Sequence, residues 1–104
     1  MTVTHSIEDN DQDLQRAFKV FGDAWTLAII NVLSEAAQRF NELQRGINVS
    51  PTTLADRLKK LEQLGLVAQQ QTLDQLSNCY VLTTKGQNML PVLRAIESFS
   101  KKFL

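Results

Sequence analysis

Ser50 followed by Pro51 opens the most constrained stretch of this sequence. Serine is a favoured helix N-cap because its hydroxyl accepts from backbone N–H groups that have no partner in the first turn. Proline suits the first helical position because its φ is already set. Leu54, Leu58, Leu61 and Leu64 then recur at intervals of 4, 3 and 3, a single stripe along one helix. Gly65 stands where a left-handed residue closes a helix. Pro51–Leu64 is therefore read as a helix of about four turns. Directly after Gly65 the period changes. Leu66–Val67–Ala68 and Cys79–Tyr80–Val81–Leu82–Thr83 read as two strands around the polar stretch Gln69–Asn78. Upstream, a short helix bearing Leu43, capped by Asn41 and broken at Gly46, meets the long one through Ile47–Val49. Two helices so joined, followed by a hairpin, form a helix-turn-helix with a wing.

The remaining segments are helical. Asn10 or Asp11 caps a first helix carrying Leu14, Ala17, Phe18 and Phe21, ended by Gly22. Asp23 caps a second, from Ala24 to about Ser34, apolar nearly all round and so placed at the buried centre. Trp25 is read there as core, with the wall of an effector pocket as the alternative. Thr83 or Thr84 caps a last helix with Met89, Leu93, Ile96, Phe99 and Phe103 on one stripe. Pro91 requires that helix to restart or kink. Leu14, Phe18 and Phe21 together with the C-terminal stripe exceed what one small core needs. Pairing with symmetry mates is the expected use of the excess, and packing within the monomer is the other. The predicted fold is mostly α with a small β-hairpin: a winged helix-turn-helix with N- and C-terminal dimerisation helices. Residues 1–11 are expected to be a flexible acidic tail and residues 12–104 the domain.

Composition narrows the function. A chain of 104 residues is one domain, and its 43% apolar content is that of a globular protein. No apolar run is long enough to span a bilayer, and no basic, apolar leader opens the chain, so a cytoplasmic location is expected. The single cysteine, Cys79, excludes a disulfide framework and a cysteine zinc cluster. One histidine and scattered acids supply no convergent catalytic pair, and there is no Gly-rich phosphate loop. No enzyme activity, metal or cofactor is expected. The net charge of zero hides an asymmetry. The first 13 residues hold four acids and no base; the rest hold all eleven bases and seven acids, a body of +4. That balance permits DNA binding without demanding it.

Several blocks resemble one family. Gly22–Asp23–Ala24–Trp25–Thr26–Leu27 is similar to the opening Gly-x-x-Trp-Thr-Leu of HxlR-type transcriptional regulators, relatives of the MarR group. Arg39–Phe40–Asn41–Glu42–Leu43 resembles their Arg-Phe-Asn-Glu-Leu. Leu54–Ala55–Asp56–Arg57–Leu58–Lys59–Lys60–Leu61–Glu62 resembles their recognition helix. Tyr80–Val81–Leu82–Thr83–Thr84–Lys85–Gly86 is similar to the end of their wing, and Leu90–Pro91–Val92–Leu93 to the start of their dimerisation helix. The resemblance runs from about residue 12 to the C-terminus. It implies a DNA-binding regulator, with repression the commoner role. It also implies a redox-sensing cysteine near the head of the first helix, where this chain has Gln12, so Cys79 is the one thiol available to a redox signal.

With the leucine stripe inward, the helix 51–64 turns Thr52, Asp56, Lys59 and Lys60 outward, flanked by Thr53 and Arg57. Threonine can meet base edges, and Arg57 is a candidate for bidentate contact to guanine. Lys59 and Lys60 suit phosphates, as do Ser50 and Thr52 beside the free N–H groups of the helix start. Arg39 is a candidate backbone contact or a surface ion-pair residue, and Arg45 a second backbone candidate. Asp56 faces phosphates unfavourably and is expected to pair with Lys60 at i, i+4. Cys79 is read as an inert thiol, with oxidation by a redox signal as the alternative. The leading expectation is a homodimer that binds a pseudo-palindromic operator in double-stranded DNA and answers to an unidentified small-molecule or redox effector. The alternative is a winged-helix protein-interaction module with weak or no DNA binding, which the neutral charge, the glutamine-rich wing and Ala24 favour.

Overall fold

A computed structural model describes residues 7–104, with side chains from Asp11 onward. The elements run α1 Ile7–Phe21, α2 Ala24–Leu33, α3 Phe40–Ile47, α4 Pro51–Gln63, β1 Val67–Gln71, β2 Asn78–Leu82, α5 Thr84–Gln87 and α6 Leu90–Phe103. This is the mostly helical winged helix-turn-helix that the sequence predicts. Among the described residues no helix is long and apolar enough to cross a membrane.

Local chemistry sets the boundaries. Helix α1 begins at Ile7, ahead of the expected caps Asn10 and Asp11. Asp11 and Asp13 thus lie inside the helix, past its first turn. The segment 1–6 of the expected tail, with His5, lies outside the described residues. Asp23 caps α2 as expected, accepting from the Thr26 N–H at 3.2 Å. Helix α2 buries Thr26, Ile29, Ile30 and Leu33 and is the central element, touching α1, α3, α4, α6 and β2. Trp25 lies to the side of that face and is 37% exposed, so it is not the core residue expected.

Helix α3 starts one residue after Arg39, not after Asn41. The Glu42 carboxylate closes its first turn by accepting from the Arg39 N–H at 2.7 Å. It runs through Gly46 to Ile47 and ends on Asn48, whose φ of 54° is the left-handed conformation asparagine tolerates best after glycine. Val49 plugs the turn into the core. The Ser50 hydroxyl then caps α4, accepting from the Thr53 N–H at 3.2 Å, with Pro51 in the first turn. Leu54, Leu58 and Leu61 are buried against α2. Leu64, the last of the stripe, sits at the C-cap and is 44% exposed. At Gly65 (φ 75°) the chain reverses, and the Leu66 N–H returns to the Leu61 carbonyl at 2.9 Å, the Schellman closure.

The wing is β1 paired antiparallel to β2, with Gln69 opposite Tyr80 and Gln71 opposite Asn78. Gln38 adds a third, one-residue strand, exchanging both backbone hydrogen bonds with Tyr80 at 3.1 and 2.7 Å. The wing's base is tied to the end of α4. The Thr83 hydroxyl donates to the Gly65 carbonyl at 2.6 Å and Lys85 Nζ to the Leu64 carbonyl at 2.7 Å. Gly86 packs so closely that a Cβ there would lie 2.1 Å from the Leu66 carbonyl oxygen. Thr83 caps the short α5, and α6 restarts with Pro91 in its first turn, so the proline starts a helix and kinks none.

Met89 and Leu93, expected on the dimer stripe, are buried in the core of the single chain. Beyond Leu93 every residue of α6 is exposed. Helices α1 and α6 therefore project from the body. The radius of gyration is 16.0 Å, against about 13 Å for a compact domain of this length.

Candidate nucleic-acid interface

Once the leucine stripe of α4 is buried, helical geometry dictates what the other side shows. Thr52, Asp56, Lys59 and Gln63 fall within a narrow arc opposite the stripe, and all are exposed. Lys60 and Thr53 lie on one shoulder of that arc, Lys60 exposed and Thr53 half-buried. Ser50 and Thr53 are joined hydroxyl to hydroxyl at 3.0 Å, which holds the polar start of the helix in one arrangement. Thr52 stands beside them with its hydroxyl at the surface.

The outward carboxylate is neutralised locally. Asp56 Oδ2 lies 3.3 Å from Lys60 Nζ, the expected i, i+4 pair, and 2.8 Å from Arg57 Nη1. Lys60 first and Arg57 second hold its carboxyl below the ordinary carboxylate value. Among the described residues Lys59 and Arg45 have no carboxylate within ion-pair distance, so their charges are available to a polyanion.

Arg57 is placed differently from the expectation. Its side chain is 28% exposed and leaves the outward arc for the α1–α2 junction. There Nε donates to Asp23 Oδ2 at 2.7 Å. That same carboxylate oxygen accepts from the Thr26 hydroxyl at 2.6 Å and from the Thr26 N–H. Asp23 is thus both the cap of α2 and the anchor of α4. The two acids Asp23 and Asp56 raise the pKa of Arg57, and Arg57 lowers that of Asp23. A guanidinium held by two carboxylates fixes the rotation of α4 about its axis and is poorly placed to read a base. Sequence reasoning missed this pair, because partners 34 positions apart leave no local signal.

Arg39 sits at the start of α3, and its guanidinium lies 3.5 Å from Asp74 Oδ2 at the wing tip. The pair joins the start of α3 to the tip of the wing. The tip itself is closed by the Thr72 N–H donating to the Ser77 carbonyl at 2.8 Å and by Gln75 in a left-handed conformation. The Thr72 hydroxyl and the Leu76 N–H both donate to Asp74 and lower its pKa. Gln69, Gln71 and Asn78 spend their amides on internal hydrogen bonds, to Glu62, the Gln75 carbonyl and Gln69 respectively. The tip presents Leu73 and Leu76, both essentially fully exposed, which sequence reasoning did not single out. Cys79 is half-buried on β2 opposite Gln70.

The apolar stripes divide in two. Leu14 and Phe18 on α1 and Ile96, Phe99 and Phe103 on α6 are each about half or more exposed, and Phe99 stacks on Phe103 with centroids 5.1 Å apart. Phe21 is half-buried against the core, and Met89 and Leu93 are within it. Among the described residues no group of acids, histidine and cysteine could hold a metal ion.

The comparisons agree with this layout. The profile of the HxlR-like helix-turn-helix family matches residues 20–104. The chain is 33% identical over 92 residues to the HTH-type transcriptional regulator YodB of Bacillus subtilis, spanning 86% of this chain and 82% of that one. It is 29% identical over 94 residues to the HTH-type regulator YvaP of the same organism, covering 86% and 85%. The reduced form of YodB superposes with a TM-score of 0.78 at 30% identity, over 99% of this chain and 95% of that one. The quinone-bound form superposes at 0.77 and 32% identity, over 88% and 99%.

Proposed function

This chain belongs to the HxlR-like helix-turn-helix family of transcriptional regulators, and on that premise we propose that it binds operator DNA as a homodimer with α4 in the major groove. The observation that carries the reading is the face of α4. An exposed arc of hydroxyls and lysines begins at a capped helix N-terminus, where unpaired N–H groups favour phosphate, and its one carboxylate is already neutralised. Ser50, Thr52 and Thr53 lie where base edges and the nearest phosphate would come. Lys59 and Lys60 suit the flanking phosphates, and Arg39 a phosphate beside the wing. Arg57 acts as a positioning residue. The exposed stripes of α1 and α6 support the dimer, because large apolar residues aligned on one helix face form a patch that a symmetry mate can cover. Two such subunits would present their α4 helices about 34 Å apart, one turn of the duplex. The reduced and quinone-bound structures of YodB favour a chemical signal as the effector here too.

Hydroxyl-radical footprinting on the gene's own upstream region tests the reading. Two protected half-sites about one helical turn apart are expected. A single protected patch, or protection that does not depend on sequence, would overturn it.

A further inference from the structure

Between α1, α2 and α4 lies an open cleft of about 670 Å³, within the size range of pockets that hold small organic ligands. Its chemistry is one-sided. Four cations line it, Arg16 and Lys19 from α1 and Arg57 and Lys60 from α4, over an apolar floor that includes Val20 and Leu61. The single carboxylate on its wall, Asp23, is already engaged by Thr26 and Arg57. Arg16 is paired with Asp13, Arg57 with Asp23 and Asp56, and Lys60 with Asp56, while Lys19 has no carboxylate within ion-pair distance among the described residues. A cationic rim over an apolar floor matches a ligand whose anionic head can replace these exposed carboxylates and whose body is apolar.

The cleft is also on the correct side of α1. Arg16, Lys19 and Val20 project a third to half a turn away from Leu14 and Phe18. A dimer formed through the Leu14–Phe18 stripe leaves this face of α1 uncovered.

We propose that this cleft binds a small organic anion, a carboxylate, sulfonate or phosphate borne on an apolar body, and that its occupation opposes DNA binding. The coupling runs through Asp56. Arg57 and Lys60 line the cleft and are also the two cations that neutralise Asp56 on the outward arc of α4. An anion that draws either side chain into the cleft exposes the Asp56 charge to the phosphates and removes a cation from their reach. Linkage then requires DNA to weaken the anion by the same factor. This second half rests on the proposed DNA-binding role; the site itself does not.

The test uses 8-anilinonaphthalene-1-sulfonate as the anionic probe and N-phenyl-1-naphthylamine, the same apolar body without the sulfonate, as its neutral match. Saturable binding of one sulfonate probe per chain is expected, with the neutral compound weaker by about tenfold. Arg16→Gln with Lys19→Gln, both exposed and outside the α4 surface, should weaken the sulfonate probe by a similar factor while leaving DNA affinity in its absence unchanged. Phe18→Ser should not weaken the probe. Equal binding of the two compounds, or probe binding unaffected by the double substitution and lost in Phe18→Ser, would overturn the site. The wild-type chain should also lose affinity for its upstream DNA as the sulfonate probe saturates, and the double variant should not. Probe binding with undiminished DNA affinity would overturn the coupling. Probe binding by a chain that binds no DNA would overturn the DNA-binding role and leave the site standing.

Discussion

Replacing Asp23 separates two tasks of one carboxylate. Its Oδ2 accepts from the Thr26 N–H at 3.2 Å, which caps α2, and from Arg57 Nε at 2.7 Å, which anchors α4. Asparagine caps a helix as well as aspartate does but carries no charge. Asp23→Asn therefore keeps the cap and loses the ion pair, whereas Asp23→Ala loses both. The difference between the two variants is the cap alone, about 1 kcal/mol, or roughly 4–8 °C in Tm for a domain near this size. The charge is isolated by pH. Arg57 holds the Asp23 carboxyl below its ordinary value of 3.8. A lowered folded-state pKa stabilises fully above the unfolded value and loses its effect as pH falls through the folded one. The stability gap between wild type and Asp23→Asn should therefore be flat from about pH 5 to 8 and close as the carboxyl protonates below 3.8. Urea denaturation followed by far-UV circular dichroism across that range reads both quantities. Equal stability of the Asn and Ala variants would refute the cap. A gap that persists unchanged at about pH 2 would refute the ion pair.

Three further outcomes follow from the packing and the exposed face. Gly86→Ala drives a methyl to 2.1 Å from the Leu66 carbonyl oxygen, so the wing base must shift; a loss of roughly 1–3 kcal/mol in urea denaturation is expected. Lys59→Ala removes one phosphate contact per subunit and should flatten the slope of log affinity against log salt by about 1.8 for a dimer, with sequence preference retained. Ile96→Glu with Phe99→Glu places charges on the projecting stripe of α6 without touching the core, and sedimentation should then show a single 11.7 kDa chain in place of a dimer.

Local signals were the legible ones. The caps Asp23, Ser50 and Thr83, the reversal at Gly65 and the change of period after it act over three or four residues, and each appears where the sequence predicts it. Helix α3 was harder to read because its start is closed by Glu42 reaching back to the Arg39 N–H, with no capping side chain at the first position. Its end depends on Asn48, a weaker left-handed signal than the glycine two residues before it. The stripe on α6 could not be divided from sequence. Met89 and Leu93 have the same character as Ile96 and Phe99, and only the position of α2 decides which are covered. Trp25 fails for the same reason, since α2 buries one face and the tryptophan lies beside it. The candidate DNA surface was legible in its hydroxyls and lysines. Arg57 was not, because its partner Asp23 is the cap of another helix, 34 positions away in sequence.

The proposed role of α4 is to read a specific DNA sequence. Fluorescence anisotropy with the upstream fragment and a scrambled duplex, across a salt series, tests it most directly. The native fragment should bind tighter by roughly 4 kcal/mol or more, with affinity for both falling steeply as salt rises. Thr52→Ala should narrow that preference, whereas Arg16→Gln should leave it intact. Equal affinity for the two duplexes at every salt concentration would contradict the claim and favour a winged helix that meets protein partners instead.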